Sequence, residues 1–594
     1  MTHHFSALRS LVKQIGTHCH KDLTPSTHAL SGILHFLLCL LASLVFAPQA
    51  YAFEEAGRLE RRFDRPVEPL SSPKPMVFPL EEKLPPAQAA QIRFILKEVR
   101  IDGATALSAE ALRETYADRL GKEVSLLDIY HIRDAITALY GQAGYGLTRA
   151  LIPKQQIEAD GIVHIQVLEG FVDEVIIDGA TDLQSSYFAS MTAKLKAERP
   201  LNAKTLERYL LLANDRFAVQ ATATLKASTQ TPGATTLIIK VEPAQLVHGA
   251  ATFDNRGSHA IGPWQVNAQL ALNGLFGLAN QTTLSYASTL ESARELQYGS
   301  ASHTQVLGSE GTSLNLGWLG TRSRPGTFLL ESLDIDTQSD LWFIRVAHPF
   351  IRTRQHNLLA HFSFDYRDTS TNSLGRLTGL DRIRSIRMGF NYDLADRWQG
   401  VSQALLEYSH GIGGMGATSD HAVFRSRLDG KPDYDKFNLL LSRLQPLGHF
   451  ASAMSDWSLY LAVMGQYSGD GLMAPEECGL GGAQFGRAYN YSELLGDSCI
   501  AGSMELRYQP NWRIGPLNFA QIYTFYDGGY VSNHAPLFVG GSTSDSLSST
   551  GVGLRYAITN YTSGYVELTK PLTRDVAQEG NKDVRIFASF SMRF

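Results

Sequence analysis

The chain is short of charge, of cysteine and of long apolar runs. Asp, Glu, Lys and Arg make up 19% of its 594 residues, below the roughly 25% usual in soluble domains. The net charge of −5 is mild and gives no sign of nucleic-acid binding. A disordered chain has few aromatics and a strong net charge; this one is 10% aromatic. One apolar run stands out, residues 33–46. A polytopic helical membrane protein needs several runs of about 20 residues each. The motifs of nucleotide and hydrolytic chemistry are also missing: there is no P-loop, no G-x-S-x-G and no H-E-x-x-H. GIGGMG at 411–416 matches G-x-G-x-x-G by letters, but it reads as a turn with no helix after it. The histidines are scattered. No nucleotide, cofactor or metal is expected. A transmembrane β-barrel survives these exclusions. It hides its apolar surface by alternation, which suits a mean hydropathy of −0.12.

The N-terminus reads as an address. The run ILHFLLCLLASLVF follows Arg9, Lys13 and Lys21 and precedes APQAYA. Ala50 and Ala52 give the small-x-small pattern, so residues 1–52 are expected to be a signal peptide cleaved between Ala52 and Phe53. A membrane anchor is the alternative, and the run is short for spanning. Cys19 and Cys39 leave with the signal. Of the four cysteines, Cys478 and Cys499 remain, in an export route that permits disulfides. They flank a glycine-rich loop and are a candidate staple, worth about 3 kcal/mol in the chain-entropy model. Two unpaired thiols are the other reading; a zinc site lacks paired histidines nearby.

Residues 53–64, FEEAGRLERRFD, place acids first and arginines last, which suits a helix macrodipole. The segment has too little apolar face for a core helix. It is a candidate mobile plug or a frayed end. Seven prolines in 66–86 make an extended linker, so 53–91 is helix and linker.

Two modules follow, 92–170 and 171–243. In the first, 94–101 is strand-like and ends in Asp102-Gly103. Residues 108–120 read as a helix capped by Ser108 and stopped at Gly121. Residues 126–140 form an amphipathic helix with Ile129, Ile132, Ile136 and Leu139 on one face. Strands at 147–153 and 162–168 complete a β-α-α-β-β order. That order recurs as strand 171–177, helices 182–197 and 203–213, and strands 219–225 and 235–241. The two starts, KEVRIDGAT from Lys97 and DEVIIDGAT from Asp173, are visibly related. This tandem α+β repeat resembles POTRA domains, the periplasmic modules of outer-membrane transporters. LERYLLLAND from Leu206 resembles the second, ShlB-type POTRA of two-partner secretion transporters. An open sheet edge can take up an extended peptide through its backbone, largely whatever the peptide's sequence.

From about residue 244 to 594 strict alternation replaces the helical period. Leu358, Ala360, Phe362, Phe364 and Tyr366 share one face; Leu359, His361, Ser363 and Asp365 share the other. Met504, Leu506 and Tyr508 alternate with Ser503, Glu505 and Arg507. Val552, Leu554 and Tyr556 alternate with Gly553, Arg555 and Ala557. This is the signature of a membrane β-barrel; the resemblance implies about 16 antiparallel strands. The last residues alternate from Val584 to a terminal Phe594, resembling the signal that the outer-membrane barrel-assembly machinery reads.

With two POTRA modules before it, 479–497 (GLGGAQFGRAYNYSELLGD) resembles the in-folded lid loop of two-partner secretion transporters of the haemolysin secretion/activation type. The lid tip is Phe485, Gly486, Arg487 and Tyr489, with Ala488 where the family usually has glycine. FYDGGYV, from Phe525, matches the family's Phe-x-Asp-x-Gly strand motif through Phe525, Asp527 and Gly529. Phe525 and Asp527 share parity and can both face the lumen. An Arg487–Asp527 pair there is expected to act as a lock, charge-assisted and directional. The resemblance implies an outer-membrane pore of a Gram-negative bacterium, its POTRA domains in the periplasm. Its client would be a large unfolded exoprotein, its surroundings outer-membrane lipid, and its role transport rather than catalysis. An assembly insertase of the same superfamily, or a structural barrel that transports nothing, stays open at this point.

Overall fold

The structure is a computed structural model that describes residues 56–63, 69–71, 89–155, 161–179, 182–215, 217, 219–231, 233–243, 245–276, 279–510, 517–535 and 542–594. The signal segment, its cleavage point at Ala52 and Phe53, and most of the proline-rich linker lie outside the described residues.

In the first module the segment read as one strand is two. Arg93–Ile95 pairs with a short strand, Glu123–Ser125, and Glu98–Asp102 joins the main sheet. The backbone changes partner between them: Leu96 N–H donates to Lys122 O at 3.1 Å and Lys97 N–H to Gly161 O at 2.9 Å. The first helix, Ala109–Arg113, is shorter than 108–120. Where it stops, the Thr115 hydroxyl donates to Leu112 O at 2.7 Å and competes with the helical pattern. The second helix, Leu126–Gln142, begins with a reciprocal capping box between Ser125 and Asp128. Its Ile129, Ile132, Ile136 and Tyr140 are buried against Val163, Ile165 and Val167 of the sheet.

The second module repeats the plan. Phe171–Asp178 runs parallel to Ala234–Pro243, which pairs antiparallel with Val219–Ala227. Helices Asp182–Ala197 and Ala203–Asn214 cover one face, with Phe188, Met191, Leu195, Leu206 and Leu212 in the core. Gly103 and Gly179 sit at equivalent points with φ of +79° and +84°. A β-carbon there would lie 2.4 and 2.5 Å from a carbonyl oxygen of the neighbouring strand, so both copies keep Asp-Gly.

Sixteen antiparallel strands then close a barrel, from Val247–Asp254 round to Arg585–Arg593. Residues 589–593 pair with 250–254, and Phe594 exchanges backbone hydrogen bonds of 2.9 and 3.0 Å with Gly249. Parity holds along the wall. Phe362, Met504 and Val552 are exposed to the outside, whereas Ser363, Asp365, Ser503 and Glu505 are buried inside. No helix among the described residues is long and apolar enough to cross a membrane. Asp336–Arg352, His356–Ser373 and Arg376–Ala395 run 17, 18 and 20 residues, beyond the 9–11 or so that span a bilayer.

The second module docks on two turns at one end of the barrel, a contact the sequence did not announce. Arg352 forms a bidentate pair with Asp215, both bonds 2.6 Å. Glu310 accepts from the Tyr209 hydroxyl at 2.7 Å and from Arg208 at 3.2 Å, and it pairs with Lys194. Burial pushes the Glu310 carboxyl up, but hydrogen bonds from Lys194, Tyr209 and Arg208 outweigh it and hold it at about 2, against an ordinary 4.5. A carboxyl held low in the docked state favours docking above its ordinary range and loses that contribution as pH falls towards the lowered value. Docking measured by fluorescence transfer between helix Ala203–Asn214 and the barrel should be constant from pH 8 to about 6 and weaken between about 4.5 and 2. An unchanged signal through that window would contradict this assignment.

Candidate gate in the barrel lumen

Between strands Trp457–Ser468 and Ser498–Tyr508 the chain folds back into the barrel. It makes one 3-10 turn, Ala474–Glu476, and a two-stranded ribbon in which Cys478–Leu480 pairs with Leu494–Gly496. Cys478 on the ribbon is disulfide-bonded to Cys499 on the wall, Cα to Cα 6.2 Å. Both cysteines are buried. The bridge staples the base of the loop and leaves its tip to be held by other means.

Arg487 holds the tip. It is 4% exposed, and Asp527 on strand Phe519–Ser532 is 0% exposed. Arg487 Nε and Nη2 each donate to the Asp527 carboxylate at 3.0 Å, and its backbone N–H donates to the same group at 3.1 Å. Nη1 reaches Glu505 at 2.6 Å and Nη2 reaches Ser503 at 3.1 Å. The guanidinium lies over the Phe525 ring, 3.5 Å from its centroid. An acid in a closed lumen needs such a partner, because an unpaired buried charge is costly.

The rest of the tip is built around this clamp. Phe485 and Tyr489 are buried with Leu480, Leu494, Val531 and Leu547. The Tyr489 hydroxyl donates to the carbonyls of Ser548 and Arg574, both at 3.2 Å. Gly486 takes φ of +81°, so the left-handed residue stands before the arginine. Ala488 is not among the residues with positive φ, which is why alanine fits where glycine was expected. Gly529 gives the ribbon room: a β-carbon there would lie 2.6 Å from Leu480 Cδ1.

Several members of the site escaped the sequence reading. Glu505 binds Arg487, Arg507 and Arg555, each at 2.6 Å. Its parity with Ser503 was visible, but not its partner. The helical segment 56–63 also lies in the lumen. Glu60 pairs with Arg367 at 2.5 Å, Arg62 with Asp254 at 3.2 Å, and Leu59 packs on Ile261 and Leu296. Beside it and the loop is a cavity of about 760 Å³ lined by Arg345, His361 and Leu440 among others.

The disulfide carries a prediction. Replacing both cysteines with serine frees the loop base, a loss of about 3 kcal/mol in the chain-entropy account. The variant should still form a barrel but show more frequent channel openings in planar bilayers than the oxidised parent. Identical opening statistics would mean that the staple does not restrain the loop.

The sequence profile of the haemolysin secretion/activation family (ShlB/FhaC/HecB) matches residues 233–556. That of the ShlB-type POTRA domain matches residues 94–170, the first module. The chain is 25% identical over 473 residues to the outer membrane transporter CdiB of Dickeya dadantii, covering 78% of this chain and 80% of that one. It is 23% identical over 537 residues to the heme/hemopexin transporter protein HuxB of Haemophilus influenzae, covering 88% and 92%. The solved structure of CdiB from Escherichia coli superposes with a TM-score of 0.69 at 19% identity, over 97% of this chain and 100% of that one. CdiB from Acinetobacter baumannii gives 0.62 at 16% identity. Most of the barrel and the in-folded loop thus lie under a profile that spans more than half the chain, and the first module lies under the POTRA profile: the chain belongs to the haemolysin secretion/activation family, two-partner secretion transporters of the outer membrane with POTRA domains in the periplasm.

Proposed function

We propose that this transporter exports one large exoprotein, received unfolded, through a lumen closed by two elements. The observation that carries the reading is the buried Arg487 clamp, which seats the loop tip across the conduit on Asp527 and Glu505. Segment 56–63 acts as a plug, and 479–497 acts as a lid. The signal peptide is removed after Ala52. The assembly machinery inserts the barrel by reading its last strand and Phe594, and outer-membrane lipid surrounds its apolar face.

Capture takes place on the POTRA sheets. Phe171–Asp178 borders its sheet with no strand on its outer side among the described residues. An extended client can add there through backbone bonds. Transport needs no nucleotide in this reading; folding of the client outside the cell draws the chain outward. The test is secretion of a large exoprotein of the two-partner type, co-expressed in cells carrying the transporter or lacking it. Secretion to the same level without it would end the reading.

A further inference from the structure

We propose that Glu476 is a second anchor of the lid, on a different stretch of wall from the Arg487 clamp, and that the plug helix holds it engaged. The inference rests on the reading that the plug and the lid close the pore.

Glu476 stands at the root of the in-folded loop, on the turn Ala474–Glu476, and is 1% exposed. One carboxylate oxygen accepts from Arg387 Nη2 at 2.8 Å on strand Arg376–Ala395. The other accepts from Lys436 Nζ at 2.5 Å on strand Asp435–Pro446. Its backbone carbonyl accepts from Lys436 Nζ and from Gln466 Nε2, both at 3.1 Å. Three strands of the wall thus grip one residue of the loop. A fully buried carboxylate with two cationic partners is the counterpart of Arg487 with its two acids, with the charges reversed.

The plug bears on this root. Arg61 Nη1 donates to Glu477 O at 3.0 Å, and Arg61 Nη2 donates to Pro475 O. These are the carbonyls on either side of Glu476. Gly57 lies so close that an added β-carbon would meet Pro475 Cβ at 3.2 Å. When the plug leaves, two donors are withdrawn from the root and its packing opens. By linkage, a root that has lost its wall anchor holds the plug less tightly. Glu476 is therefore a positioning residue of the gate: it couples departure of the plug to release of the lid.

The test is single-channel recording of the full-length transporter in planar bilayers, with barrel folding checked by heat-modifiable migration. Glu476→Gln keeps the shape and removes the charge. Its open fraction should rise at least five-fold over the parent. Arg61→Ala should also open the channel, and the double variant should fall well short of the product of the two effects, because both act on one coupled body. If Glu476→Gln fails to fold, the charge-balanced Glu476→Gln/Lys436→Gln protein replaces it, with the same expectation. An unchanged open fraction overturns the anchor. Multiplying effects overturn its coupling to the plug. A parent and variants that never conduct overturn the pore reading itself.

Discussion

Replacing Arg487 with alanine should lower export of the exoprotein at least ten-fold while leaving barrel insertion nearly normal. The substitution takes the cation from Asp527 and one of three from Glu505, and breaking a buried pair from one side costs about 3–5 kcal/mol. Asp527 would keep the backbone N–H of residue 487 at 3.1 Å and the weak contact from the Ser549 hydroxyl at 3.5 Å, neither of which carries a charge. Each 1.4 kcal/mol is tenfold in an equilibrium, so even part of that cost is enough to unseat the tip. Insertion is spared because the wall is held by backbone ladders that do not involve the loop. The variant should leak ions more often, since the tip no longer rests across the conduit. Arg487→Lys should fall between the two, because an ammonium cannot make the bidentate contact. Export at the parent level from Arg487→Ala, measured as surface-exposed exoprotein per inserted barrel, would remove the clamp from the mechanism.

Deleting residues 92–243 should take export below detection and leave a barrel that still conducts. The barrel closes on itself, from Arg585–Arg593 to Val247–Asp254, and so presents no free strand edge to an extended chain. Outside the lumen, the open edges among the described residues belong to the small sheets of the two modules. Without them the client has no backbone docking site, and its entry would rely on chance encounter with the periplasmic mouth. A truncated transporter that exports as the full chain does would place capture on the barrel instead.

Period-two alternation was enough to read the barrel, because the outward positions within the bilayer must face lipid on every strand. Phe362 and Met504 point out and Ser503 and Asp527 point in as parity alone requires. The repeat of Asp-Gly at 102–103 and 178–179 exposed the paired modules, since the turn there admits only glycine. What stayed hidden depends on where strands meet across space. Glu476 lies 89 residues from Arg387 and 40 from Lys436, and nothing local ties them together. Nothing local marks Glu310 either, on which Lys194, Arg208 and Tyr209 converge only in the folded chain. Segment 56–63 offered too little apolar surface for a core helix. In the structure its charges are answered by the lumen, with Arg367 on Glu60 and Asp254 on Arg62.

The central claim is that the lid tip must leave its seat for a client to pass. A reversible tether tests it directly. Phe485 on the tip and Leu547 on the wall lie in one buried cluster, so Phe485→Cys with Leu547→Cys, in a chain whose own two cysteines are serine, puts a thiol on each side of the seat, and a short bis-methanethiosulfonate spacer oxidises the pair into a reducible bridge. Export by the oxidised transporter should stop and should return on reduction. A bridged transporter that exports at the rate of its reduced form would contradict the account.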